Sequence, residues 1–213
     1  IILYYIWRWV PQIESLPDTG LKGQFRFLKS PAPWLLIGAT LLGNGGVFCW
    51  YSYINPLLTH VSGFHPQSIT FLMVLAGFGM VVGNLASGRL SDKYKPGRVA
   101  ATVQACICVT LLLIFFLSSV SWLSVLLMCP CTAGLFALSS PQQVLLIRYS
   151  KGGEMLGAAS VQVAFNLGNA IGAYSGGLAL QAGLGYQYPA LIGVPFAFAG
   201  VILLTVFHKK YEN

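Results

Sequence analysis

The chain has 213 residues, of which 56% are hydrophobic and 8% are charged, and its mean hydropathy is +0.72. These values exclude an ordinary water-soluble globular domain and indicate a membrane protein. The net charge of +7 comes from 12 Lys and Arg against 5 acids. Basic residues in such a chain mark one face of the membrane, so no nucleic-acid partner is expected.

The N-terminal stretch predicts the end of a membrane helix followed by a loop. IILYYIWRWV at 1–10 is half a span and ends in the aromatic and basic residues typical of a membrane interface, so we interpret it as a helix cut by the start of the chain. The loop at 11–33 predicts either an interfacial amphipathic segment or a plain linker. Its helical faces would carry apolar Leu21, Phe25 and Leu28 beside basic Lys22, Arg26 and Lys29.

Six apolar runs follow, each long enough to cross a bilayer at about 20 residues per span. Together they predict an all-α membrane bundle at 34–207, followed by a tail at 208–213. Pro130 and Pro141 remove backbone donors from the fourth run and could bend it. The runs lie near 34–59, 68–87, 99–117, 122–147, 155–180 and 186–207.

The segments between the runs alternate in charge. All 12 basic residues fall in 8–33, 88–98, 147–154 and the tail, and the intervening segments have none. The positive-inside rule therefore predicts that both ends of the six-span unit are cytoplasmic. The five acids fall on the same side, which leaves no Asp, Glu, Lys or Arg within the predicted spans.

Several classes of membrane protein do not fit this sequence. An intramembrane serine protease needs Ser and His in one membrane site, and a metalloprotease needs HExxH. The runs contain neither pattern, and an aquaporin-like channel would need two NPA motifs. We therefore expect no enzyme activity, no cofactor and no metal.

The loop after the second run carries the most distinctive motif. In SGRLSDKYKPGRVA and the residues before it, Gly83, Gly88, Arg89, Asp92 and Lys93 resemble the cytoplasmic motif between helices 8 and 9 of the major facilitator superfamily. GNGGVFCWYSYINP, GLFALSSPQQVLL and KGGEMLGAASVQVAFNLGNAIGAYSGG are similar to its sugar and drug efflux branch, closest to arabinose-induced permeases. The resemblance covers residues 1–207.

The resemblance implies a half of a larger transporter. Family members pair two six-helix bundles and carry the substrate between them by alternating access. This chain would supply helices 7–12, with the end of helix 6 at 1–10 and the central loop at 11–33, and would need an N-terminal six-helix half as partner. It implies proton-coupled efflux of small solutes, such as sugars or drug-like compounds, from the bacterial inner membrane.

Alternatives are an importer or uniporter of similar solutes, or a half that does not transport. An ionisable residue is normally needed to carry a proton through the membrane. Since the predicted spans contain none, the proton carrier is expected in the other half.

Polar residues inside the spans are the substrate-site candidates, because an unpaired amide in hydrocarbon is costly. On 155–180, Gln162, Asn166 and Asn169 share one face. Asn44, Phe48, Tyr51 and Asn55 form a similar stripe on the first run. Hydrogen bonds between helices are the alternative role. The predicted substrate-binding residues are Asn44, Tyr51, Gln142, Gln143, Asn166 and Asn169.

Small and charged residues complete the predictions. Gly168, Gly172 and Gly176 form a face suited to close helix packing. By resemblance, Asp92 would meet a helix N-terminus of the other half when the cytoplasmic side closes. A solvated charged loop is the alternative. The predicted gating residues are Asp92, Arg89, Lys93, Arg148 and Glu154.

Overall fold

A computed structural model of the chain describes residues 8–9 and 24–212. The predicted helix end at 1–10, apart from Arg8 and Trp9, and loop residues 11–23 lie outside this range. Every regular element within it is helical, which confirms the predicted all-α class. The seven main helices are α1 Pro31–Tyr51, α2 Pro66–Lys93, α3 Pro96–Leu117, α4 Ser121–Ala137, α5 Ser139–Tyr149, α6 Glu154–Gln181 and α7 Tyr188–Phe207.

Shorter turns flank these helices. A 3₁₀ helix, Phe25–Lys29, precedes α1, while Ile54–Pro56 and a π-helical turn, Leu57–Val61, follow it. A second π-helical turn, His208–Glu212, follows α7. Helices α1, α2, α3 and α7 have proline within their first two positions, where the fixed φ suits a helix and the missing N–H costs nothing.

Five segments of the described chain are long and apolar enough to cross a membrane. They correspond to α1, α2, α3, α4 with α5, and α7 extended to Glu212. Helix α6 is 28 residues long, about 42 Å at 1.5 Å per residue, but is not among the five. Its amides and glycines make it less apolar, and the span predicted at 155–180 stays a prediction.

Helix α1 lies at the centre of the bundle. It packs most extensively against α6 and α7, while α7 also packs on α3 and α4 packs on α2. The approach of α1 to α7 depends on Gly46 and Gly193, because a Cβ on either would lie within 2.6 Å of the other's carbonyl oxygen. Small residues allow such close approach in membranes, where apolar lipid gives no hydrophobic drive to associate.

The fourth predicted span is interrupted at Leu138, between α4 and α5. Pro141 has no N–H to donate to the carbonyl of Ala137, four residues earlier. That carbonyl instead accepts a short hydrogen bond from the Ser87 hydroxyl of α2. Pro130 lies inside α4, which continues through it.

The loops meet in two groups, as the charge alternation predicts. At one end of the bundle, Gly97 contacts Glu212 and Gly153 contacts Gln24, which brings the basic segments together. At the opposite end, the hydroxyl of Ser62 bonds to the Ser118 carbonyl and the Ser124 hydroxyl, both at 2.8 Å. The structure contains no membrane, so the cytoplasmic assignment of the basic end stays a prediction.

The outer surface carries large exposed apolar side chains, as expected for contact with lipid. They occur on α2, α3, α4 and α6, and several of them are more than half exposed. Such a surface would be a large hydrophobic patch on a soluble protein. Representative residues are Phe71, Val74, Phe78, Leu85, Val109 and Phe116.

Candidate functional site

Two of the predicted substrate-binding residues, both with amide side chains, meet between α1 and α6. Asn44 is 2% exposed, and its Nδ2 donates to the Phe165 carbonyl at 3.2 Å and to Oδ1 of Asn169 in a short hydrogen bond. Each residue lies 13 to 15 positions from the start of its helix, about 20 Å along the axis and so near the middle of a bilayer. If both helices span the membrane as the sequence predicts, the pair places polar atoms at mid-membrane depth.

The amide pair borders a cavity of about 240 Å³ that opens on one side of the bundle. Helices α1, α4, α5 and α6 form its walls, and no charged side chain of the described residues lines it. Amide and hydroxyl groups can bond to a neutral polar molecule, while the aromatic rings offer apolar contact. The lining includes Asn44, Phe48, Phe136, Ser139, Gln143, Gln162, Phe165 and Asn169.

Three of the six predicted substrate residues lie away from this cavity. Tyr51 packs its ring against Phe48 at 5.4 Å and Trp50 at 6.4 Å. Gln142 is 1% exposed, and neither of its amide atoms has a hydrogen-bond partner. Asn166 is exposed on α6 and has no partner among the described residues. The structure thus brings Asn44, Gln143 and Asn169 together at the cavity.

Sequence reasoning did not select the hydroxyl beside the cavity. Ser139 begins α5, and its Oγ donates to the Phe136 carbonyl at 2.8 Å and lies 3.4 Å from Oδ1 of Asn84 on α2. The useful signal was Pro141, because the break it causes places Ser139 at the start of a new helix. Gln162 was placed on the correct face but was not among the chosen substrate residues.

The predicted glycine face lies directly behind the cavity. A Cβ on Gly168, Gly172 or Gly176 would lie 2.2 to 2.4 Å from a carbonyl oxygen of α1. There is no space for a side chain at any of the three. This close contact holds α6 against α1 and so fixes the register of Asn169 opposite Asn44.

The predicted gating residues are divided between neighbouring surfaces at the basic end. Asp92 and Arg148 line one cleft with Glu212. Lys93 lines a different cleft, and its Nζ lies 5.7 Å from the centroid of the Tyr94 ring. Arg89 is exposed on α2. The structure therefore brings together Asp92 and Arg148, but not the whole set.

Two of the acids at this end bond to backbone N–H groups. Glu212 accepts from Gly97 at 3.1 Å, near the N-terminus of α3, and from Nδ1 of His208 at 2.9 Å if that nitrogen is protonated. Glu154 accepts from Gly152 at 3.0 Å, just before the predicted span. That hydrogen bond favours the carboxylate and lowers the pKa of Glu154.

Comparison with known families identifies the fold. The sequence profile described as the Major Facilitator Superfamily matches residues 1–161. The chain belongs to the major facilitator superfamily. It is 47% identical to "Putative transporter AraJ" of Escherichia coli (strain K12) over 98% of the chain and 53% of that protein.

Other superfamily members also match nearly the whole chain. "Inner membrane transport protein YdhP" of Escherichia coli (strain K12) is 33% identical over 91% of the chain and 50% of its own length. "Probable sugar efflux transporter" of Helicobacter pylori (strain J99 / ATCC 700824) is 27% identical over 100% of the chain and 54% of its own length. The chain thus spans about half the length of these curated superfamily relatives.

Proposed function

We propose that this chain forms half of an inner-membrane transporter that exports small neutral solutes by alternating access. The uncharged, amide-lined cavity between α1, α4, α5 and α6 is the observation that carries the proposal. We place this cavity at mid-membrane depth, and it opens sideways, where a second six-helix bundle would close it. The names of the relatives, which include a transport protein and a sugar efflux transporter, support the same function.

The cavity chemistry favours neutral polar solutes. Within the described spans no Asp, Glu, Lys or Arg lines it, so an ionic substrate would lose its hydration without gaining a counter-charge. Amides can both donate and accept hydrogen bonds, which suits the hydroxyl groups of a sugar or a polyol. Phe48 and Phe165 would cover the less polar faces of such a ring.

The cleft containing Asp92 is the proposed cytoplasmic gate. Asp92 and Arg148 face the same space at the end where the basic loops meet. When the gate closes, we expect Asp92 to meet a helix N-terminus of the other half, where the macrodipole favours a carboxylate. Opening would expose the cavity to the cytoplasm and separate these groups.

Replacement of Asn169 by Ala tests the cavity directly. The change removes an amide from the cavity and a partner from Asn44, so we expect export to fall about tenfold, as for the loss of one or two hydrogen bonds. Gln181→Ala, which removes an amide from the far end of the same helix, should export at the parent rate. Export would be measured in cells that contain equal amounts of the full-length protein.

Export and the amount of folded Asn169→Ala protein together separate a substrate-binding role of Asn169 from a packing role. Unchanged export by a normally produced Asn169→Ala protein would contradict the substrate role and leave the amide as a helix contact. Loss of folded protein in that variant would likewise assign Asn169 to packing.

Coupling to protons has a separate test. Since the predicted spans of this chain have no ionisable residue, we propose that the other half carries the proton. Collapse of the proton gradient by an uncoupler should then abolish export against a concentration gradient. Export that is unaffected by the uncoupler would favour a uniporter and overturn proton antiport.

A further inference from the structure

A further cleft lies at the basic end of the bundle, away from the amide cavity and beside the Asp92 cleft, with which it shares Arg148 and Tyr149. Its volume is about 530 Å³, within the usual range for sites that bind small molecules. Parts of the chain that are far apart in sequence form it: the 3₁₀ helix before α1, the end of α5 and the turn before α6. Its lining residues are Arg26, Phe27, Ser30, Arg148, Tyr149 and Lys151.

Three cations line this cleft, and no carboxylate of the described residues does. Arg148 also lines the neighbouring cleft that contains Asp92 and Glu212. Arg26, Arg148 and Lys151 are exposed, and no carboxylate of the described residues forms an ion pair with any of them. The acid nearest in sequence to Arg148 and Lys151, Glu154, accepts from the backbone of Gly152 instead. Like charges around one cavity repel, and an anion bound between them would remove that repulsion.

The walls of the cleft are held in place by tight packing. Phe27 is 5% exposed, and its ring lies 3.1 Å from the position that a Cβ on Gly153 would occupy. That Cβ would also lie 2.2 Å from the Gln24 carbonyl oxygen. The hydroxyl of Tyr149 donates to the Tyr211 carbonyl at 2.7 Å. The basic side chains therefore project from a fixed aromatic floor.

Aromatic residues beside the cleft indicate its depth in the membrane. Trp34, near the start of α1, is 57% exposed, and Phe25, in the preceding 3₁₀ helix, is 51% exposed. The Trp34 Nε1 donates to the Leu28 carbonyl at 2.7 Å, which leaves the ring face available to lipid. Tryptophan in this setting is typical of the headgroup region. An anion at this depth is more readily supplied by a lipid than by the cytoplasm.

We propose that the Arg26–Arg148–Lys151 cleft binds the phosphate headgroup of an anionic phospholipid. The guanidinium groups and the ammonium group donate charge-assisted hydrogen bonds to the phosphate oxygens. The acyl chains follow the exposed aromatic surface of Phe25 and Trp34 into the bilayer. Phosphatidylglycerol has the required chemistry, and phosphatidylcholine lacks the net charge. This site does not depend on whether the protein transports solutes.

Binding can be measured on the purified full-length protein in detergent. Short-chain phosphatidylglycerol and phosphatidylcholine would be titrated separately, with bound lipid counted by native mass spectrometry. The Arg26→Gln/Lys151→Gln protein removes two charges from the cleft and leaves Arg148 in place. The Lys209→Gln/Lys210→Gln protein removes two charges from the tail, which does not line the cleft, and is the matched control.

We expect the parent and the tail variant to prefer phosphatidylglycerol. The cleft variant should bind this lipid roughly ten- to thirtyfold more weakly, because it lacks two cations near the membrane surface. Equal weakening in both variants would overturn the site in favour of diffuse surface charge. Equal binding of the two lipids would also overturn it. If millimolar inorganic phosphate displaces the lipid at constant ionic strength, the site takes soluble phosphate and the lipid assignment is wrong. A folded cleft variant, verified by its unfolding temperature, is required for each comparison.

Discussion

The contact between Gly172 and α1 is among the tightest in the bundle. A Cβ at Gly172 would lie 2.2 Å from the Gly45 carbonyl oxygen and 3.1 Å from the Cys49 nitrogen. These are backbone atoms, so the contact can be relieved only if the helices separate. Because Asn44 lies next to Gly45, a shift here also moves one member of the amide pair.

Gly172→Ala should therefore destabilise the protein, by about 1 to 3 kcal/mol for overpacking. Gly77→Ala is the matched control, since Gly77 lies within α2 and a Cβ there meets nothing within 4 Å. At such an open helical site alanine should be neutral or stabilising by about 0.4 to 1 kcal/mol. The unfolding midpoint of each purified variant in detergent measures the difference. Similar midpoints for the two variants would contradict the close packing described here.

For single residues, the sequence predicted the helix face on which a residue lies better than the residues that it contacts. Helical spacing placed Asn44, Asn169 and the glycines on the faces that the structure uses. Spacing alone could not separate Asn169, which reaches the cavity, from Asn166, which is exposed one turn away. That distinction depends on the rotation of α6 against α1, which the backbone contacts at Gly168 and Gly172 determine.

The interruption between α4 and α5 shows how one proline changes an element. Hydropathy predicted a single run at 122–147, and the backbone carbonyl freed by Pro141 accounts for the break. The position of the Ser87 hydroxyl could not be predicted, because it comes from α2 through tertiary packing. Helix α6 was predicted as a span because 155–180 is a long apolar run, but its amides and glycines make it less apolar than the five candidate spans.

The Ser87 contact can be tested by a double-mutant cycle. Ser87→Ala should cost about 1 to 3 kcal/mol, because it leaves the carbonyl of Ala137 buried without its partner. In a Pro141→Ala background the new backbone N–H can bond to the same carbonyl, so the cost of Ser87→Ala should fall. Unfolding midpoints of the four proteins give the coupling energy. Additive effects would mean that Ser87 does not replace the bond lost at Pro141.

Across the described part of the chain, the exposed side chains include an apolar surface and a surface that contains amides. The outer surface of α2 and α3 is apolar, with Phe78, Val109 and Phe116 each more than half exposed. The exposed residues of α5 and α6 include the amides Gln143 and Gln162 at the cavity and Asn166 away from it, beside apolar Val163 and Leu167. An unpaired amide facing hydrocarbon costs roughly 2 to 7 kcal/mol. We therefore expect the amide surface to face water or the other half of the transporter, and the apolar surface to face lipid.

Cysteine labelling distinguishes these surfaces at matched depth. Asn166 and Val109 lie 12 and 13 residues from the starts of α6 and α3, about 18 to 20 Å from the same end of the bundle. In a full-length protein without its native cysteines, Asn166→Cys should react with a membrane-impermeant maleimide at least tenfold faster than Val109→Cys, because only a hydrated thiol ionises and reacts readily. Equal rates for the two positions would place the amide surface in lipid and remove the basis for a solute path between two halves.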